Sequence, residues 1–178
     1  MPHWSRHVEL GTTRSRGDRC RLFRSTDQCS SKTQHRINTP GEFAVADVYE
    51  SPQVIPDRQF DIVYAGIGAI CWLQVINGWA KVTAHFLQPG GTFYILEIHP
   101  VVWSIPQDDH GDHLVLDWPY FESEGPQCCD ESQSHAGTGE VAHTRQYNTP
   151  HGLGETINSL LQAGLTLVFV HEHQRETD

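Results

Sequence analysis

The chain has 178 residues, a length typical of one domain with a sizeable hydrophobic core. Its 12 Lys plus Arg against 22 Asp plus Glu give a formal net charge of −10, which argues against a dedicated nucleic-acid-binding protein, because such a protein needs a basic face. The sequence shows no membrane-spanning apolar run and no secretory pattern, and its five cysteines fit no disulfide framework. A globular, cytoplasmic protein is therefore expected.

The charge is divided unevenly along the chain. Residues 1–40 carry 8 basic and 3 acidic side chains, whereas residues 41–178 carry 4 basic and 19 acidic ones. The first segment is poor in apolar residues and lacks the periodicity of a strand or a helix. We therefore predict that residues 1–40 form an atypical, poorly ordered basic segment. An interaction arm for nucleic acid or for an acidic partner is the alternative interpretation.

The acidic part of the chain shows the pattern of an α/β domain. Short apolar runs over 43–48 and 60–65 predict two buried strands. Apolar residues at three- and four-residue intervals over 72–87 predict an amphipathic helix, which residues 89–91 (Pro-Gly-Gly) would end. A strand over 92–98 would then complete a strand–helix–strand unit.

The remaining sequence predicts a long polar excursion and two closing elements. Residues 107–149 are polar and favour one or two irregular strands at most. Residues 154–163 predict a helix that ends near Gly164, and the apolar run over 165–171 predicts a last strand.

Three motifs in this order resemble those of the class I S-adenosylmethionine-dependent methyltransferases. Ala46-Asp47-Val48 resembles the third motif of the family, residues 60–66 resemble the fourth, and the Pro-Gly-Gly of residues 87–93 resembles the turn into strand 5. The resemblance covers about residues 41–178 and implies an α/β fold with a Rossmann-like sheet. It also implies transfer of a methyl group from S-adenosylmethionine to a small-molecule acceptor, with neither a membrane nor a nucleic acid as partner.

The resemblance also implies roles for particular residues. In an open α/β sheet the ligand lies beyond the carboxyl ends of the strands. Asp47 and Val48 would bind the adenine ring there, and Ala65 and Gly66 would accommodate the methionine portion. The alternatives are a helix cap or turn at Asp47 and a tight turn at Gly66.

Acceptor-binding candidates follow the expected third strand. His99 would lie at the same edge of the sheet and is the candidate general base, with a polar strand-end residue as the alternative. Trp103 and Tyr120 are candidates for the wall of the acceptor pocket, although aromatic side chains also fill cores. No metal site is predicted, because the His and Cys residues of 20–35 and 110–135 match no structural zinc spacing.

The N-terminal part of the family pattern, which includes strand 1 and its Gly-rich turn, is missing from this sequence. Gly11 and Gly17 follow no apolar strand, and neither Asp18 nor Asp27 follows a β-run. We therefore predict a sheet that lacks strand 1 and its Gly-rich turn, with a reading-frame error or decay as the hypothesis for residues 1–40. A cofactor site without these elements loses the positioning of donor and acceptor on which methyl transfer depends. Weak or absent cofactor binding is expected, and a non-catalytic remnant or binding module with the same fold is the alternative function.

Overall fold

The structure is a computed structural model that describes residues 20–22, 42–44, 46–105, 113–123, 125–130, 133–134, 137–140 and 145–173. None of the helices in these segments combines the length and the apolar character that a membrane span requires.

Two short strands pair across the boundary between the basic and acidic parts of the sequence. β1 (Cys20–Leu22) runs parallel to β2 (Glu42–Ala44), with Cys20 opposite Glu42. The expectation of a poorly ordered segment over residues 1–40 falls mostly outside the described residues and stays a prediction. β2 is also shorter than predicted, because a 3-10 helix (Val48–Glu50) and α1 (Ser51–Val54) take up the chain that follows.

The predicted strand–helix–strand unit is confirmed and forms the centre of the fold. β3 (Phe60–Ala65) is followed by a 3-10 helix (Ile70–Trp72), by α2 (Ile76–Phe86) and by β4 (Leu87–Ile95). β3 and β4 are parallel neighbours. The two strands are therefore joined by a helical crossover, as parallel strands require.

The core lies between this strand pair and the apolar face of α2. Ile76, Trp79, Ala80 and Phe86 recur at helical spacing and are each at most 1% exposed. Trp79 packs edge-on against Phe93 of β4, with ring centroids 5.6 Å apart. Burial of a large apolar side chain contributes about 1.5–3 kcal/mol, so this face fixes α2 on the sheet.

The Pro-Gly-Gly turn is built into β4 instead of preceding it. α2 ends at Phe86, and the register of the strand pair shifts between Phe60, opposite Leu87, and Ile62, opposite Thr92. The extra residues form a bulge, which glycine permits because Gly90 adopts a φ of 79°. As a result β4 begins earlier than the predicted strand over 92–98, and it ends at Ile95.

The polar excursion contains four short strands, more than the one or two that were expected. They are β5 (Gln127–Asp130), β6 (Gln133–Ser134), β7 (Gly137–Glu140) and β8 (Arg145–Asn148). β5 pairs with β8 and β6 with β7, both antiparallel. A nested pair of antiparallel ladders accounts for the weak periodicity of this region.

The predicted final helix is confirmed, but the predicted final strand is not. α3 (Leu153–Gln162) ends in a Schellman motif, in which Gly164 has a φ of 91° and the Leu165 N–H donates to the Leu160 carbonyl at 3.2 Å. Among the described residues, 165–173 form neither a helix nor a paired strand. Within them Val168 is 84% exposed, so the apolar run does not reach the core.

Candidate functional site

The carboxyl ends of β3 and β4 lie side by side. Ala65 is opposite Ile95, and the Leu96 N–H donates to the Ala65 carbonyl at 3.2 Å. The loops that leave both strands therefore start at one edge of the sheet, which is where ligands of open α/β sheets bind.

Glu97 organises the loop that follows β3. Its carboxylate accepts backbone N–H groups from Gly68, from Ala69 at 3.0 Å and from Ile70 at 3.2 Å, as well as from Ile98 at 3.1 Å. Burial raises the pKa of Glu97 above its ordinary value of 4.5, and the four N–H donors act in the opposite direction. The sequence analysis did not select Glu97, although an acid at the end of an apolar strand is the same signal that selected Asp47.

The two small residues predicted for the methionine portion lie at this edge. Ala65 is fully buried, and Gly66 is half-buried. A Cβ added to Gly66 would lie 3.6 Å from the Tyr64 ring. The turn alternative allows a positive φ at Gly66 or at Gly68, and Gly68 takes it, with a φ of 74°. Of the described residues, none would come within 4 Å of a Cβ on Gly68, so the space beside it is open.

Asp47 occupies the position of a cap and not of a strand end. β2 ends at Ala44, three residues before Asp47, so the expected placement at the end of a strand is wrong. The Asp47 Oδ1 accepts the Tyr49 N–H at 3.0 Å and caps the 3-10 helix that begins at Val48. Val48 is 3% exposed and belongs to the same core cluster as Ala65. Adenine binding by Asp47 and Val48 stays a prediction.

His99 also caps a short helix. Its Nδ1 accepts the Val101 N–H at 3.2 Å, at the start of the 3-10 helix Pro100–Ser104, and its Nε2 lies 3.0 Å from Glu172 Oε1. Both ring nitrogens are engaged, and because Nδ1 accepts, Nε2 carries the proton. His99 follows Glu97 by two residues, so it lies near the predicted edge, but proton uptake there requires a change of partners.

The structure brings the two aromatic candidates into neighbouring segments. Trp103 lies in the 3-10 helix Pro100–Ser104 and is 37% exposed. The N–H groups of Asp117 and Trp118 both donate to the Ser104 carbonyl, at 3.0 and 3.3 Å, which places the chain that leads to Tyr120 beside that helix. The Tyr120 hydroxyl accepts the Leu153 N–H at 3.1 Å and so supports the start of α3.

A second group of side chains lies at the start of α3. Glu122, His151 and Glu155 each place one ligand atom within 4.8 Å of the other two. Partial burial and the Glu155 carboxyl raise the pKa of Glu122, and burial lowers the pKa of His151. None of these three residues was predicted from the sequence. His151 and Glu155 are four residues apart, whereas Glu122 lies in a distant segment of the chain.

No protein-family model matches the sequence, and no curated protein sequence matches it. Solved structures do match. A S-adenosylmethionine-dependent methyltransferase from Clostridium acetobutylicum has a TM-score of 0.52 at 11% identity, over 81% of this chain and 62% of that one. The PH0226 protein of Pyrococcus horikoshii has a TM-score of 0.52 at 16% identity, over 80% of this chain and 60% of that one.

A S-adenosylmethionine-dependent methyltransferase from Mesorhizobium loti has a TM-score of 0.50 at 15% identity, over 86% of this chain and 66% of that one. The chain therefore spans 60% to 66% of the length of these three proteins. The likeness and the parallel strand–helix–strand centre agree on one architecture. The chain has the Rossmann-like α/β fold of the class I S-adenosylmethionine-dependent methyltransferases.

Proposed function

We propose that this chain is a S-adenosylmethionine-dependent methyltransferase that acts on a small-molecule acceptor. The observation that carries the proposal is the loop over 66–70, which Glu97 holds at the carboxyl edge of a parallel strand pair. This edge is the ligand-binding edge of the fold, and the space above Gly68 is open.

The residues proposed to bind the cofactor can make further contacts beyond those seen in the structure. Ala65 and Gly66 present backbone with little side chain, so a methionine portion can approach closely. Asp47 uses Oδ1 for the Tyr49 N–H, and an ionised carboxylate has further acceptor capacity for an exocyclic adenine amine. When bound, the cofactor supplies the methyl group as an electrophile.

On the acceptor side we propose His99, Trp103 and Tyr120. His99 would accept a proton from the acceptor at Nδ1, the ring nitrogen with the lone pair, once Nδ1 has exchanged the Val101 N–H for the acceptor. Glu172, 3.0 Å from Nε2, would then balance the charge of the imidazolium. Trp103 offers an exposed apolar face, and Tyr120 stands in the adjoining segment. The main catalytic contribution of the chain would be to hold acceptor and donor in line.

The affinity for the cofactor should be low, because the sequence lacks the Gly-rich turn of the family. We expect a Kd of about 0.1–1 mM, where a Kd of about 1 μM would correspond to about 3–4 kcal/mol more binding free energy. A protein with this fold that binds the cofactor without catalysis is the second candidate, favoured by the same missing motif.

Calorimetric titration of the full chain with S-adenosylhomocysteine tests the proposal. Wild type should give a saturable heat, and Gly66→Ala should weaken it several-fold, because the new methyl group occupies the proposed methionine site. The Gly66 Cβ would make only ordinary contact with Tyr64, so folding should be kept. Gly154→Ala, where a Cβ meets nothing within 4 Å, is the matched control.

Each outcome decides between the candidates. No saturable heat at millimolar ligand rejects the methyltransferase proposal, and micromolar affinity rejects the expectation of a half-built site. Binding together with transfer of a labelled methyl group to a panel of amines and alcohols supports catalysis. Binding without transfer supports the non-catalytic alternative.

A further inference from the structure

The side-chain cluster Glu122–His151–Glu155 joins two segments of the fold. Glu122 is exposed and follows the chain that is bonded to Ser104, His151 precedes α3, and Glu155 lies in the first turn of α3. One ring nitrogen of His151 and one carboxylate oxygen of each glutamate lie within 4.8 Å of one another.

His151 is oriented as a metal-binding imidazole. The residue is only 4% exposed, and its Nε2 lies 2.9 Å from the Leu73 carbonyl. Because a carbonyl can only accept, Nε2 carries the proton and Nδ1 presents a lone pair. Histidines that bind metals characteristically donate their other N–H to a backbone carbonyl or a carboxylate, which fixes the tautomer and the ring plane.

Among the described residues, the lone pair on Nδ1 has no partner. Nδ1 of His151 is a buried atom without a hydrogen bond to any of them, and a buried acceptor left without a partner costs about 1–3 kcal/mol. Most buried polar groups are paired, so such an atom needs an explanation. A cation bound beside the two carboxylates supplies one.

The two glutamates supply the charge that such an ion needs. Like charges held this close repel each other, and a divalent cation converts the repulsion into coordination. Glu155 lies in the first turn of α3. Two carboxylates then balance a charge of about +2 on the ion.

We propose that Glu122, His151 and Glu155 bind a divalent first-row transition metal ion, with Mn²⁺ and Zn²⁺ as the candidates. One imidazole and two carboxylates suit ions of this borderline class better than the soft ions that thiolates select. Three protein ligands leave at least one position for water or another oxygen donor. Ligand distances of about 2.0–2.2 Å require a small closure, and rotation of the exposed Glu122 side chain can provide it.

The site would clamp the segment of Glu122 to the start of α3. It adjoins the loop ordered by Glu97, because His151 bonds to Leu73 and the Thr149 N–H donates to the Cys71 carbonyl at 2.8 Å, just past that loop. This inference is independent of the proposed methyltransferase activity, since it uses none of the residues proposed for the cofactor.

Metal titration of the chelator-treated full chain tests the site. With Mn²⁺ as the first probe, the loss of its free-ion electron paramagnetic resonance signal should report one tight site in wild type. Glu122→Gln and Glu155→Gln should each weaken binding more than about tenfold, since even loss of an outer-sphere partner costs about 10–100-fold. Glu50→Gln alters an exposed glutamate outside the cluster and should bind as wild type does.

Further measurements test whether Mn²⁺ binds at this cluster and whether the variants stay folded. Zn²⁺ should compete with Mn²⁺ at the same site, and saturating metal should raise the melting temperature of wild type but not of Glu122→Gln. Glu122 is exposed, so this variant should keep the wild-type circular dichroism spectrum. Equal Mn²⁺ affinity in wild type and both glutamine variants would overturn the proposal, as would the absence of binding at millimolar Mn²⁺. S-adenosylhomocysteine titration of the same samples reports separately on the proposed function.

Discussion

The Glu97 carboxylate accepts three consecutive backbone N–H groups of the loop after β3, those of Gly68, Ala69 and Ile70. Consecutive donors that converge on one anion define the backbone path of a loop closely. Hydrogen bonds to charged groups contribute about 1.5–3 kcal/mol each, so this single side chain determines the shape of the proposed cofactor edge.

Glu97→Gln should destabilise the protein although it preserves size and shape. The amide nitrogen would replace one carboxylate oxygen and point N–H donors at backbone N–H donors. Each buried N–H group left without an acceptor costs about 1–3 kcal/mol. We therefore expect the free energy of urea unfolding at pH 7 to fall by about that amount. Unchanged stability would show that the loop does not depend on this carboxylate.

The stability difference between wild type and Glu97→Gln should also depend on pH. Burial raises the folded-state pKa of Glu97 above 4.5, so between 4.5 and the raised pKa the folded state binds more protons than the unfolded state. The unfolding free energy therefore falls as pH rises through this window. The advantage of wild type should shrink over that range, and urea titrations of both proteins at stepped pH would measure the trend.

Individual site residues can be predicted from the sequence only where an apolar run marks the end of a strand. Ala65 and Gly66 were placed correctly at the edge of the sheet because they end a continuous apolar run. Asp47 was placed on a strand end that belongs to Ala44, because a helix cap and a strand end look alike in sequence. His151 and Glu155 are four residues apart at the start of α3, but only tertiary packing brings Glu122 to them, so the sequence does not reveal the cluster.

The bulge in β4 shows how one turn motif serves two elements. The Pro-Gly-Gly sequence ends a helix, and in this chain it also shifts the register of a strand. A Cβ on Gly91 would lie 2.9 Å from the Asp61 carbonyl oxygen and 3.0 Å from that of Gln88. Both neighbours are backbone atoms of the paired strands, so neither can move without disturbing the ladder.

Gly91→Ala should therefore destabilise the strand pair. Overpacking against backbone costs about 1–3 kcal/mol, and the variant should show a lower midpoint of urea unfolding. Gly154→Ala is the matched control in α3, where the new Cβ would meet no described atom within 4 Å beyond its chain neighbours and the backbone of its own helix. Alanine is the better helix former by about 0.8–1 kcal/mol, so the control should be stabilised or unchanged. If Gly91→Ala and wild type unfold at the same urea midpoint, the new Cβ does not collide with the Asp61 and Gln88 carbonyl oxygens.

Apolar content alone predicts one strand correctly and another wrongly. β3, α2 and α3 match their predicted spans within a few residues. The run over 165–171 has the same apolar signal as β3, but its residues 167–170 are exposed. Apolar residues there predict a strand equally well whether or not a partner strand is present.

The two faces of the central strand pair are covered differently. α2 covers the face of Val63 and Ala65, which are fully buried, and α3 packs against α2. On the other face Ile62 is 37% and Tyr94 40% exposed, and the Tyr94 ring meets Phe169 at 6.4 Å between centroids. The segment after α3 therefore lies over this second face through side chains, without joining the ladder.

This asymmetry predicts how stability is distributed across the molecule. Amides of β3, α2 and α3 should exchange with solvent most slowly, because their opening requires loss of the core. Residues 167–170 are 47% to 84% exposed and pair with no strand in the described part of the chain, so their amides should exchange near the unprotected rate. Hydrogen exchange followed by mass spectrometry on the full chain at pH 7 measures both groups in one experiment. Slow exchange at 167–170 would mean that this segment pairs as a strand, as its sequence predicts, and that the second face of the sheet is closed in solution.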